Sequence, residues 1–222
     1  MAAACASLSP QVRQNYDAAS LPAQFEQQPA RSKKVIVVDI DDTIMRCSTL
    51  DALRLVFRLR DTRIKEIAGA SEAMREMRKR WHVVILTGRD DFLKKRTLQW
   101  LDANGFPGVP VIFSPRIRLT SRSEENFKKE EIRRLKARGF DPVVGIGDTA
   151  SDAAAYLANG MRALIIIRDE KDSDLRHLLR RLATEPNMQR SKDLTLVFER
   201  NKPTPVWERI LKELEKNAEA RP

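Results

Sequence analysis

Four short stretches carry residue types that suit phosphoryl chemistry, and they follow one another in a fixed order. Residues 35–43 read VIVVDIDDT, residues 84–89 VILTGR, residues 127–129 FKK and residues 145–152 GIGDTASD. Three of them set a carboxylate or a hydroxyl just after a β-branched apolar run, and the remaining one supplies a lysine. Carboxylates joined by a hydroxyl and a lysine make a site for handling a phosphoryl group with magnesium (Mg2+), a hard ion that prefers oxygen ligands. Each stretch alone is a weak signal. All four, in this order, point to an enzyme.

The elements that must hold these residues are legible as a pattern. Residues 34–39, 82–87, 109–113, 142–147 and 163–167 read as strands. Residues 50–59, 70–80, 91–103, 124–138 and 152–158 read as helices. Asn104-Gly105 closes one helix, and Phe127, Ile132 and Leu135 form the apolar stripe of another. A helix at 174–184, a short apolar run at 194–198 and an amphipathic helix at 206–216 follow. Strands alternating with helices predict an α/β fold, a parallel sheet covered on both faces. Ligands bind beyond the carboxyl ends of such strands, near the switch in strand order. Asp39 and Asp148, 109 positions apart, therefore converge on one crevice.

The chain of 222 residues fits one domain, residues 34–218, with residues 1–33 as a flexible tail containing Pro10, Pro22 and Pro29. No apolar run approaches the roughly 18–20 residues of a membrane span. The first residues lack the charged start of a secretory signal, and Cys5 and Cys47 have no metal-ligand spacing. These features favour a cytoplasmic protein with reduced thiols. The Ala-, Ser- and Gln-rich start also admits organelle targeting. Net charge is +10, and two segments concentrate it. Residues 75–96 hold eight bases against three acids, and residues 113–138 nine against four, so each is +5. Basic surface attracts nucleic acid or anionic lipid, unless it merely solvates outer helix faces. His82 and His177 have no triad or metal partner in the sequence, and Trp81, Trp100 and Trp207 read as packing residues. Nothing in the sequence sets the oligomeric state.

The first stretch resembles the D-x-D-x-T signature of the haloacid dehalogenase-like (HAD) superfamily of phosphohydrolases. The others resemble that family's strand ending in Thr or Ser, its lysine and its G-D-x-x-x-D motif. The resemblance runs from about residue 34 to residue 167 and implies a Rossmann-like three-layer fold with a mainly parallel central sheet. It implies a magnesium-dependent phosphomonoester hydrolase working through an aspartyl-phosphate. Asp39 would be the nucleophile and a metal ligand, because a carboxylate splits a hard hydrolysis into two easier steps. Asp41 would protonate the leaving oxygen and then activate water, and its backbone carbonyl would be a further metal ligand. Asp148 and Asp152 would complete the metal site, while Asp42 and Thr43 hold the turn. Thr87 would hydrogen-bond a phosphoryl oxygen beside Gly88, and Lys128, in preference to Lys129, would neutralise charge there. Arg89 is expected either to touch substrate or to pair with Asp90 or Asp91.

Members of this superfamily often insert a cap domain. Here 48 positions separate Asp39 from Thr87 and 41 separate Thr87 from Lys128, which leaves no room for a large one. An open site admits a phosphate on a macromolecule or at an interface. Residues 88–101 and 129–132 resemble the phosphatase domain of polynucleotide kinase-phosphatases, favouring nucleic-acid ends as substrate. Ser114-Pro115, Phe127-Lys128 and the spacing from Asp148 to Tyr156 resemble lipin-type phosphatidate phosphatases, the alternative. A small-metabolite phosphatase and a non-catalytic HAD-like binding module are the remaining readings.

Overall fold

A computed structural model describes residues 33–46, 64–115, 120–169, 173–186, 188, 191–200 and 204–218. The strands are β1 (Lys34–Val38), β2 (His82–Asp90), β3 (Val111–Ser114), β4 (Asp141–Gly147), β5 (Arg162–Ile167) and β6 (Leu194–Phe198). The helices are α1 (Ala70–Arg78), α2 (Lys94–Ala103), α3 (Ser121–Ala137), α4 (Ala150–Ala158), α5 (Ser173–Thr184) and α6 (Val206–Ala218). The strands form one sheet in the order β3-β2-β1-β4-β5-β6, and every neighbouring pair is parallel. Strand order reverses between β1 and β4, so the crevice of this α/β, Rossmann-like sheet opens beyond Val38 and Gly147.

Near-continuous apolar strands are what a sheet covered on both faces requires. Ile36, Val38, Val83 and Ile85 turn to one face, under Met74 and Met77 of α1, Leu98 and Leu101 of α2, and Trp207 and Ile210 of α6. Val35, Val37, Val84 and Leu86 turn to the other, under Ile132 of α3, Ala153 of α4 and Leu178 of α5. Each fully buried branched side chain contributes about 1.5–3 kcal/mol. Two cores three helices wide thus clamp the central strands β1 and β4.

Two element boundaries differ from the sequence reading in ways that matter. The strand expected over residues 82–87 runs on to Asp90, because Asp90 pairs with Ser114 of β3. Thr87, Gly88 and Arg89 therefore project from extended backbone. The helix expected over residues 91–103 starts as a short 3-10 turn, Asp91–Leu93, whose first amides are capped by Asp90. The apolar run at residues 194–198 is a sixth strand, paired with β5. The helix expected at residues 50–59 and nearly all of the tail, residues 1–33, lie outside the described residues. Lys33, counted with that tail, accepts a hydrogen bond from Asp141 N at 2.9 Å through its carbonyl. No large cap domain is present among the described residues.

Candidate active site

Asp39 leaves β1 with its backbone still in the ladder, its N–H donating to Ile146 O at 2.9 Å. The chain then folds back, with the amides of Thr43, Ile44 and Met45 all donating to Ile40 O. Asp42 takes φ +47°, a left-handed conformation that Asp tolerates better than most residues. Its carboxylate receives Arg168 at 2.7 Å, with Arg46 at 3.8 Å. Trp207 of α6 donates its indole N–H to Thr43 O at 3.0 Å. This turn is held from three sides.

Beyond β4 the local sequence explains the second half of the site. Thr149 caps α4, its hydroxyl accepting from Asp152 N at 3.1 Å, and Asp152 answers by accepting from Thr149 N at 3.2 Å. Asp152 Oδ2 also receives the Thr149 hydroxyl at 2.7 Å. A Cβ on Gly147 would lie 2.6 Å from Asp152 Cγ, so a glycine lets this carboxylate fold back over the strand end. Asp148 is left facing Asp39, with Thr43 Oγ1 donating to it at 3.5 Å.

Lys128, fully buried on α3, joins the two halves. Its Nζ lies 2.8 Å from Asp39 Oδ1, 2.6 Å from Asp152 Oδ1 and 2.8 Å from Glu124 Oε1. Lys128 donates hydrogen bonds to Asp39 and Asp152, and its contact with Glu124 is an ion pair. Lys129, the competing candidate, turns away to Glu125, which Arg181 also binds at 2.8 Å. Adjacent helix residues do not share a face, and here α3 points Lys128 at the crevice.

The sum of charges is acidic. Burial, helped by Asp152 and Asp39 in turn, pushes the carboxyl of Asp148 well above its ordinary range. Burial does the same to Asp39, and Lys128 only partly opposes it. Burial would lower the Lys128 ammonium, yet Asp152, Asp39 and Glu124 together hold it well above its usual value. Asp39, Asp148 and Asp152 each bring a carboxylate oxygen within 4.8 Å of the others. One lysine cannot balance these groups, so the donor set fits a divalent cation. Both oxygens of Asp152 are already engaged, which makes Asp39 and Asp148 the better direct ligands and Asp152 their support.

Arg89 makes a contact that the sequence did not suggest, with Asp41, through Nε at 2.9 Å and Nη2 at 2.6 Å. Arg89 Nη1 also donates to Thr97 Oγ1 at 3.0 Å and Nη2 to Met45 Sδ at 3.0 Å, and the residue is buried. Asp90 instead caps the following turn by accepting from Phe92 N at 2.6 Å. Arg89 thus orients the carboxylate of Asp41 by a two-pronged contact. Thr87 is fully buried, and its hydroxyl accepts from Arg89 N at 3.2 Å. Gly88 lies under the Glu124 carboxylate.

Three further residues take part, of which Glu124 belonged to no motif read from the sequence. Glu124 and Lys128 form an i,i+4 pair, a spacing visible in the sequence. Tyr156 packs its ring where a Gly145 Cβ would come within 2.2 Å and donates its hydroxyl to Ile146 O at 3.2 Å. Thr97 lies in the stretch that resembles polynucleotide kinase-phosphatases, and its hydroxyl accepts from Arg89. Beside Asp148 opens a cavity of about 160 Å³ lined by Asp42, Arg46, Arg168, Asp174 and Glu199.

Comparison with known proteins agrees with this architecture. The family model described as PITM 1-3, LNS2 domain, matches residues 36–166, more than half of the chain. No curated protein matches the sequence. A D,D-heptose 1,7-bisphosphate phosphatase from B. bronchiseptica, solved with magnesium and phosphate, is 15% identical at a TM-score of 0.52, over 81% of this chain and 99% of that one. A protein from Bacteroides vulgatus assigned as a beta-phosphoglucomutase is 12% identical at 0.53, over 94% and 98%. A chain of the Pnkp1/Rnl/Hen1 RNA repair complex is 14% identical at 0.43, and the match spans 59% of this chain but only 40% of that one. No described helix is long and apolar enough to cross a membrane. The family match, the parallel sheet and the carboxylates gathered at its switch point lead to one assignment: the chain belongs to the LNS2 family and is a lipin-like member of the HAD-like phosphatases.

Proposed function

We propose that the protein is a magnesium-dependent phosphomonoester hydrolase that works through an aspartyl-phosphate on Asp39. The observation that carries this reading is the buried contact of Lys128 with both Asp39 and Asp152, with Asp148 alongside. Asp39, Asp148 and the supporting Asp152 would hold the cation, which supplies Lewis-acid charge between an anionic nucleophile and an anionic substrate. Asp39 attacks phosphorus through a carboxylate oxygen, and the ester oxygen leaves with a proton from Asp41. Water then attacks the aspartyl-phosphate, Asp41 takes back a proton, and phosphate is released. Arg89 keeps Asp41 aimed through both steps. Thr87 and the backbone N–H of Gly88 face the phosphoryl oxygens, and Lys128 offsets their charge. Turnover of an aryl phosphate should vanish with chelator and return with magnesium. Chelator-resistant turnover would sink the reading.

For the substrate we place a phosphatidate-type anionic lipid ahead of nucleic-acid ends. Membership of the LNS2 family supports this order, since lipin-type enzymes are the lipid alternative. The course of the basic stretches supports it too. α1 precedes β2 and the end of α3 precedes β4, so Arg75, Arg78, Arg133 and Arg134 lie toward the amino ends of the strands, away from Asp39. They cannot track a strand of nucleic acid into the crevice. On the crevice side, Phe92 is 63% exposed, three residues before the exposed Lys95. An exposed aromatic near cations suits the edge of an anionic bilayer. A panel of phosphatidate vesicles, 3′- and 5′-phosphorylated oligonucleotides and small phosphomonoesters decides the order. Highest turnover on an oligonucleotide would reverse it.

A further inference from the structure

Glu124 stands where an anion is expected. Its Oε1 lies 2.8 Å from Lys128 Nζ. The Cβ that Gly88 lacks would fall 2.8 Å from both its carboxyl carbon and its Oε1. The carboxylate therefore covers the residue after Thr87 and leans on the same ammonium group that contacts Asp39. The three partners of Lys128 are not equivalent. The side chains of Asp39 and Asp152 are 6% and 0% exposed, and Asp152 is locked into the cap of α4. The Glu124 side chain is 29% exposed and comes from the first turn of α3. It is the partner able to leave.

We propose that Glu124 is a resident stand-in for the phosphoryl group. An incoming phosphoryl oxygen takes over its contact with Lys128 and its place above Gly88, and Glu124 swings toward solvent. When product phosphate departs, Glu124 returns. The exchange makes and breaks no covalent bond. Glu124 is thus a positioning residue that sets affinity: every anion entering this open site must displace a carboxylate, so ambient phosphate binds weakly and product is expelled. This rests on the reading of Asp39, Thr87 and Lys128 as the phosphoryl site.

The test is calorimetric binding of inorganic phosphate, with magnesium present, to the full chain and to Glu124→Gln, Glu124→Ala and Lys128→Ala, with melting temperature recorded for each. Removing the carboxylate that the anion must displace should tighten phosphate binding about fivefold or more in both Glu124 variants, the worth in water of one ion pair at about 4 Å. The KM for an aryl phosphate should fall in parallel. Unchanged or weaker phosphate binding in folded Glu124→Gln and Glu124→Ala overturns the proposal, because that is what a merely structural glutamate would produce. If the unmodified protein binds no phosphate, or folded Lys128→Ala binds it equally well, the phosphoryl-site reading itself fails.

Discussion

Among individual residues, the division of labour between the carboxylates is open to direct test. Asp39→Asn should remove turnover by several orders of magnitude with the fold intact, since an amide cannot act as the nucleophile. Asp41→Asn should slow turnover by about 10²–10⁴ and let phospho-enzyme accumulate, as acid trapping would detect. Lys128→Ala should also lower stability, by about 3–5 kcal/mol, because it strands buried carboxylates. Lys129→Ala removes a partly exposed pair and should cost under about 1 kcal/mol. A larger loss of turnover in the Lys129 variant would move the site lysine by one residue. Asp148 links charge to pH. Its carboxyl and that of Asp39 are raised in the folded state above the ordinary 3.8, so the folded metal-free protein binds more protons than the unfolded one. Stability from these groups is fully present below that ordinary value and is lost as pH rises through the raised ones. Asp148→Asn should raise the metal-free melting temperature at pH 7 by about 2–4 °C, the shift of roughly 1 kcal/mol in a domain of this size. The gain should shrink toward pH 4, and magnesium should stabilise this variant less than the parent; a lower melting temperature than the parent at pH 7 would contradict the charge argument.

The elements explain why part of this site could be foreseen and part could not. Asp39 and Asp148 end apolar runs, and strand order brings such ends together, so their meeting follows from pattern alone. The link between Arg89 and Asp41 spans 48 positions and depends on where one long side chain lies, which periodicity does not encode. The polar run at residues 87–90 hides the last part of β2, since apolar periodicity stops where the strand enters the crevice and polar partners take over. Likewise β6 was visible only as an apolar run, because its role depends on pairing with β5. Two packing details carry predictions. Gly147→Ala should push Asp152 off Lys128 and lower both stability and turnover, because the new methyl meets the carboxylate at 2.6 Å. Trp207→Phe keeps most of the ring but leaves Thr43 O without its donor, at a cost of about 1–3 kcal/mol. Thermal denaturation of the two variants beside the parent measures both.

For the molecule as a whole, the net charge of +10 is less telling than where the charge lies. The basic segment at residues 75–96 passes from the end of α1 through β2 to the start of α2, and that at residues 113–138 includes all of α3, so each has charges at both ends of the sheet and part of it cannot meet a substrate at Asp39. The two ends can be separated by experiment. Phe92→Ala combined with Lys95→Glu should lower turnover on anionic vesicles several-fold and leave a soluble aryl phosphate unaffected. Arg75→Glu, at the far end, should change neither. Equal loss on vesicles from both changes would mean that charge acts without regard to place.

The indole of Trp207 reaches the turn after β1 from a helix that begins 40 positions after the end of the span matching the family model. The heritable unit is therefore larger than the recognisable one. A recombination event that transferred only residues 36–166 would carry every carboxylate and the lysine, yet would deliver them without the buttress behind Thr43. A chain that exchanged its C-terminal helix would need a new donor for that carbonyl, which here lies 164 positions from its tryptophan.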